Sequence, residues 1–204
     1  MLDMATGNRM HAHEVRKHDL YETPAVAIRA LMKIEKLPKR IFEPAVGKGA
    51  IARELVAAGH SVVGTDLIDY GWEGEPYQAR GGIDFLVLKP PAMMHGLDAI
   101  VTNPPFQLAE EFVAKAIELC PLVFMLLRVA FLEGQRWEKT RGLADHFARM
   151  HVFTPRLPMM HRDGWEGPKS TSGMPFAWYV FERDHRKRYG PPRIHWCNWK
   201  DMGL

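Results

Sequence analysis

The 204-residue sequence has only two cysteines, Cys120 and Cys197. Two thiols cannot build a disulfide framework, and without histidines at fixed spacing they make no structural zinc site. Both read as free thiols, and no metal is expected. The longest apolar run, Leu119 to Leu127, falls far short of the roughly 20 residues that span a bilayer. The opening stretch, MLDMATGNRMHAHE, lacks a basic region followed by an apolar one. These absences predict a cytoplasmic protein with no membrane partner. No internal repeat or low-complexity tract appears. Charge of one sign is also scarce, since the formal net charge is only +3.

What remains is a globular composition, with 47% hydrophobic and 25% charged residues, enough to bury a real core. The length predicts one domain over residues 1–204, with 1–18 as a surface arm. The charge is unevenly placed. Gly134 to Leu204 holds 13 basic against 7 acidic residues, and the rest of the chain 14 against 17. A basic C-terminal third permits a polyanionic partner.

From Thr23 the pattern is regular. Thr23 can cap a helix, Pro24 suits its first position, and Val26, Ile28, Leu31, Met32 and Ile34 form an apolar face. Strands are predicted at Arg40 to Phe42, Ser61 to Thr65, Gly82 to Leu86, Ala99 to Thr102, Leu122 to Leu127, His151 to Thr154 and Phe176 to Glu182. Helices are predicted at Ala50 to Ala58, Leu108 to Leu119 and Trp137 to Met150. Alternating strand and helix imply an α/β fold with a mostly parallel sheet. The segment Pro155 to Pro175 is too long for a plain connection and reads as functional.

The first chemical constellation is FEPAVGKGA (Phe42 to Ala50), a strand running into a glycine turn that opens a helix. Asp66 lies nineteen residues after Gly47, at the tip of the next strand. Gly47 and Gly49 let the backbone turn tightly beside a ligand, and an acid at that tip can accept from ribose hydroxyls. This is neither the three-glycine dinucleotide signature nor a phosphate-binding P-loop, which disfavours nicotinamide and ATP. Glu43 would repel a pyrophosphate but suits a cation such as a sulfonium.

The second constellation is TNPPF (Thr102 to Phe106), directly after the strand LDAIV. Pro104 and Pro105 fix the backbone and cannot donate, so the Pro104 carbonyl and the Asn103 amide stand as adjacent acceptors. Two adjacent acceptors match a planar amino group, and Phe106 offers a ring for a flat substrate.

In order, DLYETP, FEPAVGKGA, TDL, GIDF and TNPPF resemble the motifs of S-adenosylmethionine-dependent amino methyltransferases, in particular the phage- and prophage-type DNA adenine-N6 enzymes. The likeness covers roughly Asp19 to Leu132 plus a strand near the C-terminus. It implies a Rossmann-like class I methyltransferase fold with an antiparallel strand near the C-terminus. It also implies S-adenosylmethionine as cofactor and methyl transfer to adenine N6 in DNA, with base flipping. On this resemblance Tyr21, Thr23 and Pro24 would hold the methionine end of the cofactor. Glu43, Pro44, Ala45, Gly47 and Gly49 would surround its methionine and ribose, and Asp66 would bind the ribose hydroxyls. Asp84 would accept from the adenine amino group, with Phe85 and Leu67 against the ring faces. Asn103, Pro104, Pro105 and Phe106 would be the catalytic loop.

The strand GMPFAWYVF resembles the aromatic strand of the same enzymes, where an aromatic can close the target pocket, and Trp178 would face inward or into that pocket. Arg156, Met159, Met160, Arg162, Trp165 and Lys169 would contact nucleic acid beside the flipped base. The run RDHRKR (Arg183 to Arg188) and the tail IHWCNWK offer further phosphate or stacking contacts. RNA in place of DNA, cytosine N4 in place of adenine N6, a protein glutamine acceptor and a non-catalytic nucleic-acid-binding accessory subunit are the alternatives. Phe106 counts against the glutamine enzymes, which resemble Asn-Pro-Pro-Tyr.

Overall fold

The structure, a computed structural model, describes residues 22–89, 96–133, 142–158 and 173–204. Eight strands form one sheet in the order β3-β2-β1-β4-β5-β7-β6-β8. They are β1 (Arg40–Glu43), β2 (Ser61–Thr65), β3 (Gln78–Arg80), β4 (Ala99–Thr102), β5 (Leu122–Arg128), β6 (Phe147–Phe153), β7 (Phe176–Glu182) and β8 (Arg193–Cys197). All pairings are parallel except those of β7, which runs antiparallel to both β5 and β6. The mostly parallel α/β fold with an antiparallel strand near the C-terminus is as the sequence predicts.

Period-two alternation along the central strands sorts side chains into two core layers. Phe124 and Leu126 of β5 and Trp178 and Val180 of β7 face a layer shared with Ala27, Ile28 and Leu31 of α1 (Ala25–Ile34) and Ile51 and Leu55 of α2 (Ala50–Ala57). Val123, Met125 and Leu127 of β5 and Tyr179 and Phe181 of β7 pack with Phe112, Val113, Ala116 and Ile117 of α3 (Ala109–Leu119). Burial on both faces explains why β5 and β7 read as continuous apolar runs. Among the described residues no helix is long and apolar enough to cross a membrane.

Three expectations are corrected, and one strand is added. Pro24, with ψ 136°, occupies the cap position of α1, and Thr23 makes no side-chain cap. The predicted strand Gly82 to Leu86 is instead a short 3-10 turn at Phe85–Val87, nucleated by the Leu86 amide donating to Asp84 Oδ1 at 3.0 Å. The third parallel strand is β3, upstream of it. Of the helix predicted over Trp137 to Met150, residues 137–141 lie outside those described. From Leu143 the chain makes a single helical turn, α4 (Leu143–His146), and then enters β6, because antiparallel pairing of Phe147 with Phe181 claims it for the sheet. The tail holds a strand that the sequence pattern does not announce. β8 pairs with β6 from Arg149↔Arg193 to Phe153↔Cys197, after a five-residue helix α5 (His185–Tyr189).

Candidate functional site

Parallel strands align their C-terminal ends, and the chemistry-bearing residues gather along that edge. Glu43 closes β1, Asp66 follows β2, Asn103 follows β4 and Arg128 closes β5. The turn after β1 is locked from two sides. The Gly47 amide donates to Asp66 Oδ2 at 2.8 Å, and the Gly47 carbonyl accepts from the indole of buried Trp72 at 3.0 Å. Asp66 also accepts from the Ile68 amide through Oδ1 at 3.0 Å. Gly49 then opens α2 in the left-handed region, φ 83°, and a Cβ there would lie 1.8 Å from the Tyr77 hydroxyl. Both conditions restrict the position to glycine.

The loop after β4 is held by the N-terminal segment. Asn103 Nδ2 donates to Thr23 Oγ1 at 3.1 Å, eighty residues apart in sequence. That bond sets the orientation of the amide, with the carbonyl Oδ1 as its acceptor end. Pro105 has φ −54°, and Phe106 opens a 3-10 turn, Phe106–Leu108, leading into α3. The Phe106 ring packs against Phe176 with centroids 5.6 Å apart, and the Arg128 guanidinium carbon sits 4.2 Å from its centroid.

One cavity joins the two loops. Its walls include Thr23, Glu43, Pro44, Ala45 and Gly47 from the first half of the expected set, and Asp66, Leu67, Asp84 and Phe85 from the second. All four residues from Asn103 to Phe106 line it as well. The structure therefore brings together most of the residues singled out from sequence. Pro24 and Gly49 are not in its walls. Their part is backbone geometry at the starts of α1 and α2. Val46 and Lys48 of the glycine motif also line the cavity, as do Ile68 and Tyr70, which no sequence motif marks.

The electrostatics of the cavity are set by burial. Glu43 is 1% exposed, and burial, with the Asp66 carboxylate adding to it, holds its carboxyl well above the usual range. Asp66 is also raised by burial, although the amides of Ile68, Gly47 and Leu67 oppose the shift.

Trp178 is corrected. It is 0% exposed within the core layer under α1, and its indole donates to the Ala27 carbonyl at 2.9 Å, so it does not close a pocket. Alternation along β7 puts its side chain on the α1 face. Arg156 is exposed and donates to the Gly173 carbonyl at 2.9 Å. Tyr21, Met159, Met160, Arg162, Trp165 and Lys169 lie outside the described residues. The RDHRKR run follows the C-terminus of antiparallel β7 and so sits at the opposite edge of the sheet from the cavity. Seven residues of strand separate the two edges, roughly 20 Å. Arg183 there donates to the Ile117 and Glu118 carbonyls at the end of α3. In the tail, Trp196 is 73% exposed, whereas Trp199 donates to the Pro155 carbonyl at 2.9 Å.

No family model matches the sequence, and no curated protein does. Solved structures do match in fold. A protein of Pyrococcus horikoshii, whose description proposes an RNA methyltransferase, superimposes with TM-score 0.58 at 16% identity over 82% of this chain and 89% of its own. The 23S rRNA methyltransferase ErmE matches with TM-score 0.53 at 17% identity, over 84% of this chain and 71% of its own. The M protein of the type I restriction enzyme EcoKI matches with TM-score 0.52 at 14% identity, over 79% of this chain and 43% of its own. The chain has the Rossmann-like fold of the class I methyltransferases.

Proposed function

We propose that this protein transfers a methyl group from S-adenosylmethionine to the exocyclic N6 amino group of adenine in DNA. The observation that carries the proposal is a single cavity that joins Asn103 and Pro104, at the end of β4, to the acids Glu43, Asp66 and Asp84. Fold neighbours that include a 23S rRNA methyltransferase and the M protein of a restriction enzyme support methyl transfer to a nucleic acid.

The residues present fit the cofactor. Glu43, buried beside the glycine turn, would face its cationic groups. Asp66 would accept from the ribose hydroxyls on the lone pairs that the Gly47 and Ile68 amides leave, a carboxylate offering about four acceptor sites. Asp84 would accept from the adenine amino group, between Leu67 and Phe85. When bound, the cofactor supplies an electrophilic sulfonium methyl and its own leaving group.

The rest is positioning by the chain. Asn103 Oδ1 and the Pro104 carbonyl would accept the two hydrogens of the target amino group, drawing its lone pair out of conjugation and toward the methyl. Positive charge develops on that nitrogen, and the same two acceptors stabilise it. Thr23 fixes the Asn103 amide in the orientation this requires. An amino group inside a duplex cannot reach the cavity, so the base is extruded and rests against Phe106.

The test is incubation of purified protein with tritiated S-adenosylmethionine and, separately, mixed-sequence DNA and total RNA, followed by digestion and identification of the labelled nucleoside. Labelled N6-methyldeoxyadenosine is the expected product. Label only in RNA transfers the reading to the RNA enzymes that the ErmE likeness represents. No label in either pool overturns it.

A further inference from the structure

Arg128 is the last residue of β5 and stands in register with Phe176, the first residue of β7. This places it at the sheet edge that carries Asn103, on the Phe106 side of the cavity. Arg29, Arg40, Arg53 and Arg149 each bind a carboxylate. Arg128 binds none among the described residues. Its guanidinium lies 4.2 Å from the Phe106 centroid, and its Nε is buried with no hydrogen-bond partner.

A cation over a ring is stabilised through its π face, which satisfies none of its N–H groups. A guanidinium keeps its charge at every accessible pH, and its planar fork of donors matches a phosphate bidentately. Leaving its buried Nε without a partner costs stability, a cost that an anionic ligand would remove. Because Phe106 is the surface on which the target base would rest, the anion delivered next to Arg128 is the backbone of that same nucleotide.

We infer that Arg128 binds the phosphodiester beside the target nucleotide and, by stacking on Phe106, couples the grip on the backbone to the seat of the base. The inference rests on the nucleic-acid methyltransferase reading. Its role is substrate binding, and the cofactor is held by other residues.

The test measures binding of a fluorescein-labelled DNA oligonucleotide that the wild type methylates, by anisotropy across a salt series with S-adenosylhomocysteine present. Arg128→Gln is expected to weaken binding about tenfold and to make the slope of log Kd against log salt shallower by about one. Arg128→Lys should keep the slope, and affinity for S-adenosylhomocysteine should be unchanged in both. An unchanged slope in Arg128→Gln overturns the inference, as does a loss of S-adenosylhomocysteine affinity, which would assign Arg128 to the cofactor instead. Should Arg128→Gln fail to fold, wild-type protein is given the oligonucleotide with neutral methylphosphonates flanking the methylated adenine. A loss of about tenfold supports the inference, and equal affinity overturns it. A wild type that methylates no nucleic acid sinks the functional reading itself, whereas a methylating wild type with an unchanged slope sinks only the role of Arg128.

Discussion

The indole of Trp72 donates to the carbonyl of Gly47, 25 residues earlier in the chain, at 3.0 Å, while Asp66 holds the amide of the same glycine at 2.8 Å. The Gly47 residue is thus gripped at both ends, which fixes the turn bordering the cavity. Trp72→Phe keeps an aromatic ring at the site but trims its volume and strands a buried carbonyl. It should destabilise the fold by about 1 kcal/mol, read from urea unfolding. Cofactor affinity, read by calorimetry, should fall about tenfold, more than the loss of folded protein accounts for. A variant that loses stability but binds normally would reduce Trp72 to packing alone.

Gly49→Ala faces two obstacles, a φ of 83° and a Cβ 1.8 Å from the Tyr77 hydroxyl. A loss of at least about 2 kcal/mol is expected. Tyr77→Phe by itself should be neutral or stabilising, because that hydroxyl is buried without a hydrogen-bond partner. The double variant should recover only part of the loss, since removing the hydroxyl relieves the closest contact but leaves the ring carbon Cζ 2.8 Å from the new Cβ and the backbone strain in place. Denaturant midpoints of the three proteins check this.

Burial raises the Glu43 carboxyl, with the Asp66 charge adding to it. A raised acid makes the native state bind protons more readily than the unfolded one. The fold therefore loses stability as pH rises from the ordinary carboxylate range toward the native value. Glu43→Gln should flatten that decline. If Glu43 faces the cationic cofactor, binding should strengthen as pH rises through the raised value, with proton release visible in buffers of different ionisation enthalpy, and both effects should vanish in Glu43→Gln.

Glu35 gives the opposite sign. Burial would raise it, but hydrogen bonds from Arg149 and His151 outweigh burial and hold it at about 2. Stability from this cluster is present above the ordinary range near 4.5 and lost as pH falls toward 2. Arg149→Met should shrink the acid-side loss measured by thermal unfolding between those values.

Asn103→Ala should abolish methyl transfer, a loss of at least about a hundredfold, with S-adenosylhomocysteine binding retained. Thr23→Val, which removes the partner of the Asn103 amide, should lower kcat about tenfold with little change in KM for the nucleic acid. Methylation undiminished in Asn103→Ala would move the chemistry to another group.

Much of the site is legible in the sequence because its parts are local. The glycine turn and the Asn-Pro-Pro-Phe loop declare their backbone geometry through residue type, and Asp66 follows a strand tip at short range. Trp178 departs from expectation because an aromatic strand buried on both faces carries no mark of which face each residue takes. The end of the helix expected over Trp137 to Met150, from Phe147, gives way to strand for a related reason. Its apolar residues fit either period, and pairing with β7 chose the strand.

By itself the sequence determined the alternation of strand and helix, the rigid acceptor loop after β4 and the glycine turn after β1, since each depends on a residue and its near neighbours. Only the tertiary structure decided that Thr23 orients Asn103, that Trp72 holds Gly47, and that Arg128 lies on Phe106 with its Nε unpartnered among the described residues. These contacts join residues from 22 to 80 positions apart. They exist because parallel strands bring their C-terminal ends to one edge, and no local periodicity encodes which side chains meet there.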